Sequence, residues 1–91
     1  MKAVLQAHLD KTIGLNYESP FKIEAVKLIA AHENYFTIVD SRRGYTHHFS
    51  YSSIVQVIES PDGVDVGGLF SHKEHFEMVV KVGHLAQYVP G

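Results

Sequence analysis

The stretch from residue 34 to residue 60, NYFTIVDSRRGYTHHFSYSSIVQVIES, constrains the fold most, because it holds three short apolar runs separated by two brief polar interruptions. The runs are rich in aromatic and β-branched residues, which are typical of strands. The interruption SRRG is a turn sequence, and YSS is too short for a flexible loop. The segment therefore predicts three strands in close succession and an all-β chain.

The second and third runs differ in which of their faces are apolar. In YTHHFS the alternation places Tyr45, His47 and Phe49 on one face of the strand and Thr46, His48 and Ser50 on the other. The next run, IVQVIE, is apolar on both faces apart from Gln56 and Glu59. Because a strand that is apolar on both faces is covered on both sides, we expect a second covering element for this run.

The residues before this stretch predict one short element and two strands. MKAVLQAHLDK is compatible with a short helix or a first strand, and a helix is favoured. TIGLNYE alternates as a strand does, and Pro20 ends it because proline has no amide proton for a central ladder. In FKIEAVKLIAAH the alternation slips after Ala25, which predicts a strand with a bulge or sharp bend; a helix beginning at Ile23 is the alternative.

The residues after the stretch predict a hairpin and a last strand. SPDGV, residues 60–64, is a strong hairpin signal because Gly63 can adopt a positive φ. SHKE, residues 71–74, has the spacing of a capping box and predicts a single helical turn. The alternation that begins at Phe76 predicts a strand through to about Tyr88. Five or more short strands with close turns predict a small barrel.

Length and composition bound the possible functions. A chain of 91 residues is one domain with a modest core, so a partner surface or an oligomer is expected. Because the net charge is −2, any basic surface must be local. Protonation of the seven histidines makes the net charge positive in mild acid. The absence of cysteine excludes disulfides and thiolate metal sites. Without a long apolar run or signal-peptide pattern, we expect a cytoplasmic protein without a membrane partner.

Catalytic and metal-binding patterns are weak. His47 and His48 are adjacent and point to opposite faces of a strand, so they cannot both ligate one metal. His72 and His75 lie three residues apart near Glu74, but such a pair without a further ligand is poor evidence for zinc. The sequence contains no catalytic triad order, paired carboxylates, P-loop or dinucleotide fingerprint. We therefore expect a non-enzymatic protein with no cofactor and no metal.

With FKIEAVKLIAAHENYFTIVD followed by HHFSYSSIVQVIE, the chain resembles the Sm, LSm and Hfq superfamily, and also small Sm-like proteins of tailed phages. The resemblance implies a short N-terminal helix and a strongly bent five-stranded barrel of the SH3 type. Residues 1–60 would form this core of a single domain, and residues 61–91 would add a hairpin and a strand. Only Asn34 beside Tyr35 matches the first sequence motif of the family. The second family motif contains Arg-Gly or Tyr-Lys-His, and this chain has YSS at that position.

The resemblance also implies an assembly and a ligand. In Sm-like rings the last core strand pairs with the fourth strand of a neighbour, so IVQVIE would join a homo-oligomeric ring of roughly five to seven subunits. The alternative is that the local C-terminal strand covers this run within one chain. The implied ligand is single-stranded RNA or other nucleic acid, with a role in RNA or DNA processing. A structural or adaptor ring that binds a protein is the alternative function.

Two turns are the binding loops that the resemblance implies, because in such rings they meet at the pore and hold single-stranded RNA. By position they contain His32, Asn34, Tyr35, Tyr51, Ser52 and Ser53. Aromatic faces stack bases, while amide and hydroxyl groups bond base edges. The alternatives are that Tyr35 belongs to the core and that the serines only satisfy backbone groups of a tight turn.

Arg42 and Arg43 form a possible phosphate-binding element in the SRRG turn. Repeated around a ring, the two guanidinium groups would make a cationic rim even on a net acidic protein. Arginines in a turn are more often simply solvated, which is the alternative interpretation.

Overall fold

The computed structural model describes residues 1–17, 22–65 and 75–83. These ranges contain α1 (Lys2–Gln6), β1 (Thr12–Asn16), β2 (Glu24–Ala31), β3 (Tyr35–Asp40), β4 (Tyr45–Ser50), a 3₁₀ turn (Tyr51–Ser53), β5 (Ile54–Asp65) and β6 (His75–Val82). The predicted N-terminal helix and the all-β class are therefore confirmed. The three strands predicted from residues 34–60 are β3, β4 and the first half of β5.

The six strands form one sheet in the order β4-β3-β2-β1-β6-β5. The strands β1 to β4 make an antiparallel meander. The last strand, β6, lies between β1 and β5; it pairs in parallel with β1 through Leu15 and Val80 and antiparallel with β5 through Val57 and Val80. One side of β5 is thus covered within the same chain, and β4 and β5 are the edges of the described sheet.

Strand β2 contains the irregularity that the sequence predicts, but a few residues further on. The alternation slips after Ala25, whereas the register with β3 shifts between Leu28 and Ala30. Leu28 is buried and Ile29 is exposed, and the register shift directly follows the buried Leu28. A helix beginning at Ile23 is wrong, because β2 is a strand from Glu24 onward.

The predicted hairpin at residues 60–64 is also wrong. These residues belong to β5, which continues to Asp65, and its register against β6 shifts between Glu59 and Val64. Gly63 does have a positive φ, of 96°, but it uses this φ within an irregular strand. An edge strand tolerates Pro61 because the missing amide proton is not needed on its open side.

Several sequence predictions fall outside the described residues. The single helical turn predicted for residues 71–74 is among them, and so is the connection between β5 and β6. Strand β6 ends at Val82, and the predicted continuation to Tyr88 also lies in residues that the structure does not describe.

The core lies on one face of the sheet and under α1. Its fully buried members include Leu5 from the helix, together with Leu15, Leu28, Phe36, Ile38, Met78 and Val80 from the strands.

Position 14 on β1 requires glycine, because neighbouring side chains approach its backbone closely. A Cβ atom there would lie 2.9 Å from Ile23 Cγ2, and 3.0 Å from both Phe76 Cδ2 and Val79 Cγ2.

Candidate nucleic-acid interface

The β2–β3 loop and the 3₁₀ turn lie against each other. The backbone N–H of Tyr51 donates a hydrogen bond to the carbonyl of Asn34 over 3.1 Å. The Tyr51 hydroxyl donates a second hydrogen bond to the carbonyl of His32. The two segments that the resemblance implies as binding loops are therefore in direct contact.

Three rings form an aromatic patch at this end of the β3–β4 hairpin: His32, Tyr35 and His48. The His32 ring stacks on Tyr35 with 4.4 Å between centroids and 28° between planes. His48 meets Tyr35 edge-on at 5.8 Å, and its Nδ1 atom bonds to Thr37 Oγ1 at 2.8 Å. Tyr35 is 39 % exposed, so the alternative that it belongs to the core is wrong.

Tyr51 holds this interface together from its half-buried position. Its ring stacks on Phe36 with 6.1 Å between centroids and 12° between planes. Burial raises the pKa of the Tyr51 hydroxyl, and the Glu33 carboxylate raises it further against the opposing effect of Lys2. Tyr51 is half-buried, whereas His32 and Tyr35 are exposed, so His32 and Tyr35 are the better-presented stacking faces.

The serines of the 3₁₀ turn are bonded to the end of β4. Ser50 Oγ accepts the backbone N–H of Ser52 at 3.2 Å and shares a hydrogen bond with Ser52 Oγ at 2.8 Å. Ser53 Oγ donates to the Ser50 carbonyl at 2.6 Å. These contacts match the interpretation that the hydroxyls satisfy a tight turn, although each oxygen keeps capacity to accept a further hydrogen bond.

On the other side of the turn lies an aromatic groove of about 540 Å³, and the described residues that line it are Tyr17, His47, Phe49, Ser52, Ser53, Val82 and Gly83. Tyr17 lies 5.2 Å from the His47 ring and 5.8 Å from the Phe49 ring, centroid to centroid. His47 and Phe49 stack at 5.9 Å. His47 Nε2 is buried, and the described part of the chain offers it no hydrogen-bond partner.

Sequence reasoning missed the groove as a site. It placed His47 and Phe49 on one face of β4, which is correct, but gave that face no function. The available signal was the aromatic row of Tyr45, His47 and Phe49 on one face of β4, which has one hydrogen-bonded neighbour among the described strands. Other described strands cover these rings only in part, so the rings border the aromatic groove.

Arg42 and Arg43 lie away from the aromatic patch. They occupy the turn at the opposite end of the β3–β4 hairpin, and five residue steps of about 3.4 Å separate the two ends by roughly 17 Å. Asp40 Oδ1 accepts the backbone N–H of Arg42 at 3.0 Å. The Arg43 guanidinium lies 3.5 Å from Glu24 Oε1 and 3.8 Å from Asp40 Oδ2. The structure therefore does not bring the arginines and the loop residues together, and Arg43 neutralises two largely buried carboxylates.

The charges next to the aromatic patch are balanced. Lys2 and Glu33 form an exposed ion pair. Their hydrogen bond and mutual attraction lower the pKa of Glu33 and raise the pKa of Lys2. A bound polyanion would therefore meet neither a strongly positive nor a strongly negative surface at the patch itself.

No protein-family model matches this chain, and no curated protein or solved structure is significantly similar to it. Within residues 1–17, 22–65 and 75–83, no group of three or more histidine or acidic side chains is arranged to hold a metal ion. The same ranges contain no helix that is long and apolar enough to cross a membrane. A functional proposal therefore rests on the side chains of the patch, the groove and the turns.

Proposed function

We propose that this chain is a non-enzymatic protein of the Sm-like class that binds single-stranded RNA or DNA as a ring of identical subunits. The observation that carries the proposal is the exposed Tyr35 with the His32 ring stacked 4.4 Å away. Stacking of a base on an aromatic side chain contributes about 1–3 kcal/mol and tolerates any sequence. The exposed Asn34 next to Tyr35 supplies an amide for base edges.

The order of elements supports the Sm-like class. A short helix precedes five strands, the second strand carries a bulge, and a single 3₁₀ turn joins β4 to β5. The contact between the β2–β3 loop and that turn is a further point of agreement. In this proposal β1 to β5 correspond to the five barrel strands of the class. Strand β6 is then an addition inserted between β1 and β5.

The two sheet edges support the proposed assembly. Strands β4 and β5 each have one hydrogen-bonded neighbour among the described strands, and exposed edges are normally protected from unwanted pairing. On β5, Val55 is 72 % exposed. Pairing of β5 with β4 of the next subunit would use both edges, and repetition would close a ring of roughly five to seven subunits.

Arg42 is a cation available for phosphate contact. It is exposed, and in the described part of the chain its side chain has no acidic partner, unlike that of Arg43. One such cation per subunit gives a ring a repeated positive element, which makes binding dependent on salt.

A titration of a labelled single-stranded oligonucleotide at low salt tests the proposal. We expect Tyr35→Ala to weaken binding by about 1–3 kcal/mol, because it removes the stacking face. Tyr45→Ala is the matched control, since Tyr45 is 56 % exposed at the opposite end of β4. Equal affinities of the wild type and the Tyr35 variant would contradict the proposed site, and absence of binding by the wild type would contradict the function.

An adaptor ring that binds a protein is the second candidate function. The net charge of −2 and the paired charges next to the patch favour it. The exposed Val55 would then belong to an apolar partner surface. The titration separates the two functions, because an adaptor ring leaves the oligonucleotide unbound even at low salt.

A further inference from the structure

We propose that the aromatic groove holds one unstacked base of the bound strand and is a second base site, separated from the aromatic patch by the 3₁₀ turn. The inference rests on the proposed function and assigns to the groove a ligand that the resemblance did not imply. The ligand class is a planar nitrogen heterocycle, which has apolar faces and a polar edge.

The 3₁₀ turn connects the two sites physically. Tyr51 at its start is hydrogen-bonded to Asn34 and His32 of the β2–β3 loop. Ser53 at its end lines the groove, and its carbonyl accepts the backbone N–H of Gly83 at 2.8 Å. A strand that stacks one base on the patch and crosses this turn reaches the groove around the end of β4, without disturbing the edge of that strand.

Strand β4 itself presents rings to both sites. His48 belongs to the aromatic patch, and its neighbours His47 and Phe49 line the groove, because successive side chains point to opposite faces of a strand. A base on each side of the end of β4 would therefore be held by adjacent residues of the same short element.

The chemistry of the groove favours a base over an aliphatic ligand. His47 and Phe49 stack with 23° between their planes and offer aromatic surface for a flat ligand. A base edge carries both donors and acceptors for the imidazole of His47, whereas a purely apolar ligand offers it none. The serine hydroxyls of the turn add acceptors beside it.

The charge of the groove agrees with this ligand. None of its described lining residues is acidic, so a phosphate attached to the base is not repelled. Another cavity between described residues is smaller, about 210 Å³, and is lined in part by His8, Glu59 and Glu77. Its two carboxylates oppose a nucleotide, so the aromatic groove is the better base site.

Adenosine and a short single-stranded oligodeoxyadenylate are the probes that test this inference. Adenosine is titrated into the full chain, and the ring-proton resonances of Tyr17 and Phe49 are followed by nuclear magnetic resonance. We expect these resonances to shift and saturate with adenosine. His47→Phe keeps an aromatic ring but removes the nitrogen, and we expect it to weaken the binding of both probes about fivefold or more.

A groove-filling variant provides a second test that does not touch the core. Ser52 is exposed at the groove, and we expect Ser52→Trp to weaken both probes by occupying the space of the base. Ser41→Trp, in the exposed turn before Arg42, is the matched control and should bind like the wild type. Thermal unfolding of each variant verifies that it is folded.

The outcomes separate the inference from the proposed function. If the wild type binds the oligonucleotide and Tyr35→Ala weakens it, while His47→Phe and Ser52→Trp bind like the wild type, the inference is overturned and the proposed function stands. Adenosine shifts confined to the resonances of His32 and Tyr35 overturn it as well. If the wild type does not bind the oligonucleotide, both fail.

Discussion

The backbone N–H of Tyr51 lies 3.1 Å from the carbonyl oxygen of Asn34 and donates a hydrogen bond to it. This contact lies at the open end of the β3–β4 hairpin, because Asn34 directly precedes β3 and Tyr51 directly follows β4. Together with the hydrogen bond from the Tyr51 hydroxyl to His32, it fixes the loop that carries the aromatic patch. Tyr51 is thereby a positioning residue for Tyr35 as well as a candidate contact for a base.

Tyr51→Phe separates these two roles, because it removes the hydroxyl and keeps the ring on Phe36. We expect a loss of about 0.5–1.5 kcal/mol in the free energy of unfolding, the usual contribution of one hydrogen bond. Denaturant unfolding measures it, with Tyr45→Phe as the control at an exposed tyrosine. A stability equal to that of the wild type would contradict the positioning role.

Tyr51→Ala tests the stacking role that the sequence predicts for this residue. If the ring stacks a base, affinity for single strands should fall by about 1–3 kcal/mol, and the dependence of affinity on salt should hardly change. Titrations at two salt concentrations measure both quantities. A correctly assembled variant that binds as tightly as the wild type would show that the ring is only structural.

The two turn arginines are expected to act differently. Arg43→Ala should lower stability by on the order of 1 kcal/mol, because its guanidinium lies beside Glu24 and Asp40, whose side chains are 9 % and 4 % exposed. Arg42→Ala should leave stability unchanged and flatten the slope of affinity against salt. Unfolding and oligonucleotide titration of both variants check this, and identical behaviour of the two would refute the assignment.

Gly14→Ala should destabilise the chain by about 1–3 kcal/mol, since its Cβ atom would lie 2.9 Å from Ile23 Cγ2 and 3.0 Å from Val79 Cγ2. The double variant with Val79→Ala should be less destabilised than the sum of the two single variants, because Val79→Ala removes one of the atoms in the way. Thermal unfolding of the single and double variants measures the coupling. Strict additivity of the two effects would show that the close approach is unimportant.

The ion pair between Lys2 and Glu33 gives a pH-dependent prediction. Pairing lowers the pKa of Glu33 below its ordinary 4.5, so its contribution to stability is present above that pH and is lost as the pH falls through the folded-state pKa. The pKa of Lys2 is raised above 10.5, so its contribution persists up to that pH and is lost as the pH rises further. Glu33→Gln should therefore lower the melting temperature at pH 7, and its difference from the wild type should shrink as the pH falls below 4.5.

The control for this pair is Asp62→Asn, at an exposed carboxylate that has no ion pair in the described ranges. Added salt should reduce the effect of Glu33→Gln, because both partners are exposed. A difference in melting temperature that does not shrink as the pH falls below 4.5 would contradict the electrostatic origin.

The positions of the strands were largely predictable from the sequence, but the pairing between strands was not. Alternation determines which side chains share a face, so Tyr45, His47 and Phe49 were correctly placed on one face of β4. It does not determine which strand pairs with which. Nothing in the pattern of β6 indicates that it enters between β1 and β5 and pairs in parallel with β1.

Local turn signals were ambiguous for the same reason. Gly63 has the positive φ that the hairpin prediction required, but positive φ also occurs at bulges in edge strands. The aromatic groove depends on rings from β4 and on Tyr17, which lies beyond the end of β1. The separation of the arginines from the patch follows from the length of the hairpin, which a linear resemblance between motifs does not take into account.

The most direct test of the account is the solution mass of the wild-type protein alone and with a labelled single-stranded oligonucleotide, by light scattering after size-exclusion chromatography. At low salt we expect a mass several times the 10.2 kDa of one chain, and co-elution of the oligonucleotide with that assembly. A protein that elutes as a 10.2 kDa monomer at micromolar concentration, or an assembly that leaves the oligonucleotide unbound, would contradict the account.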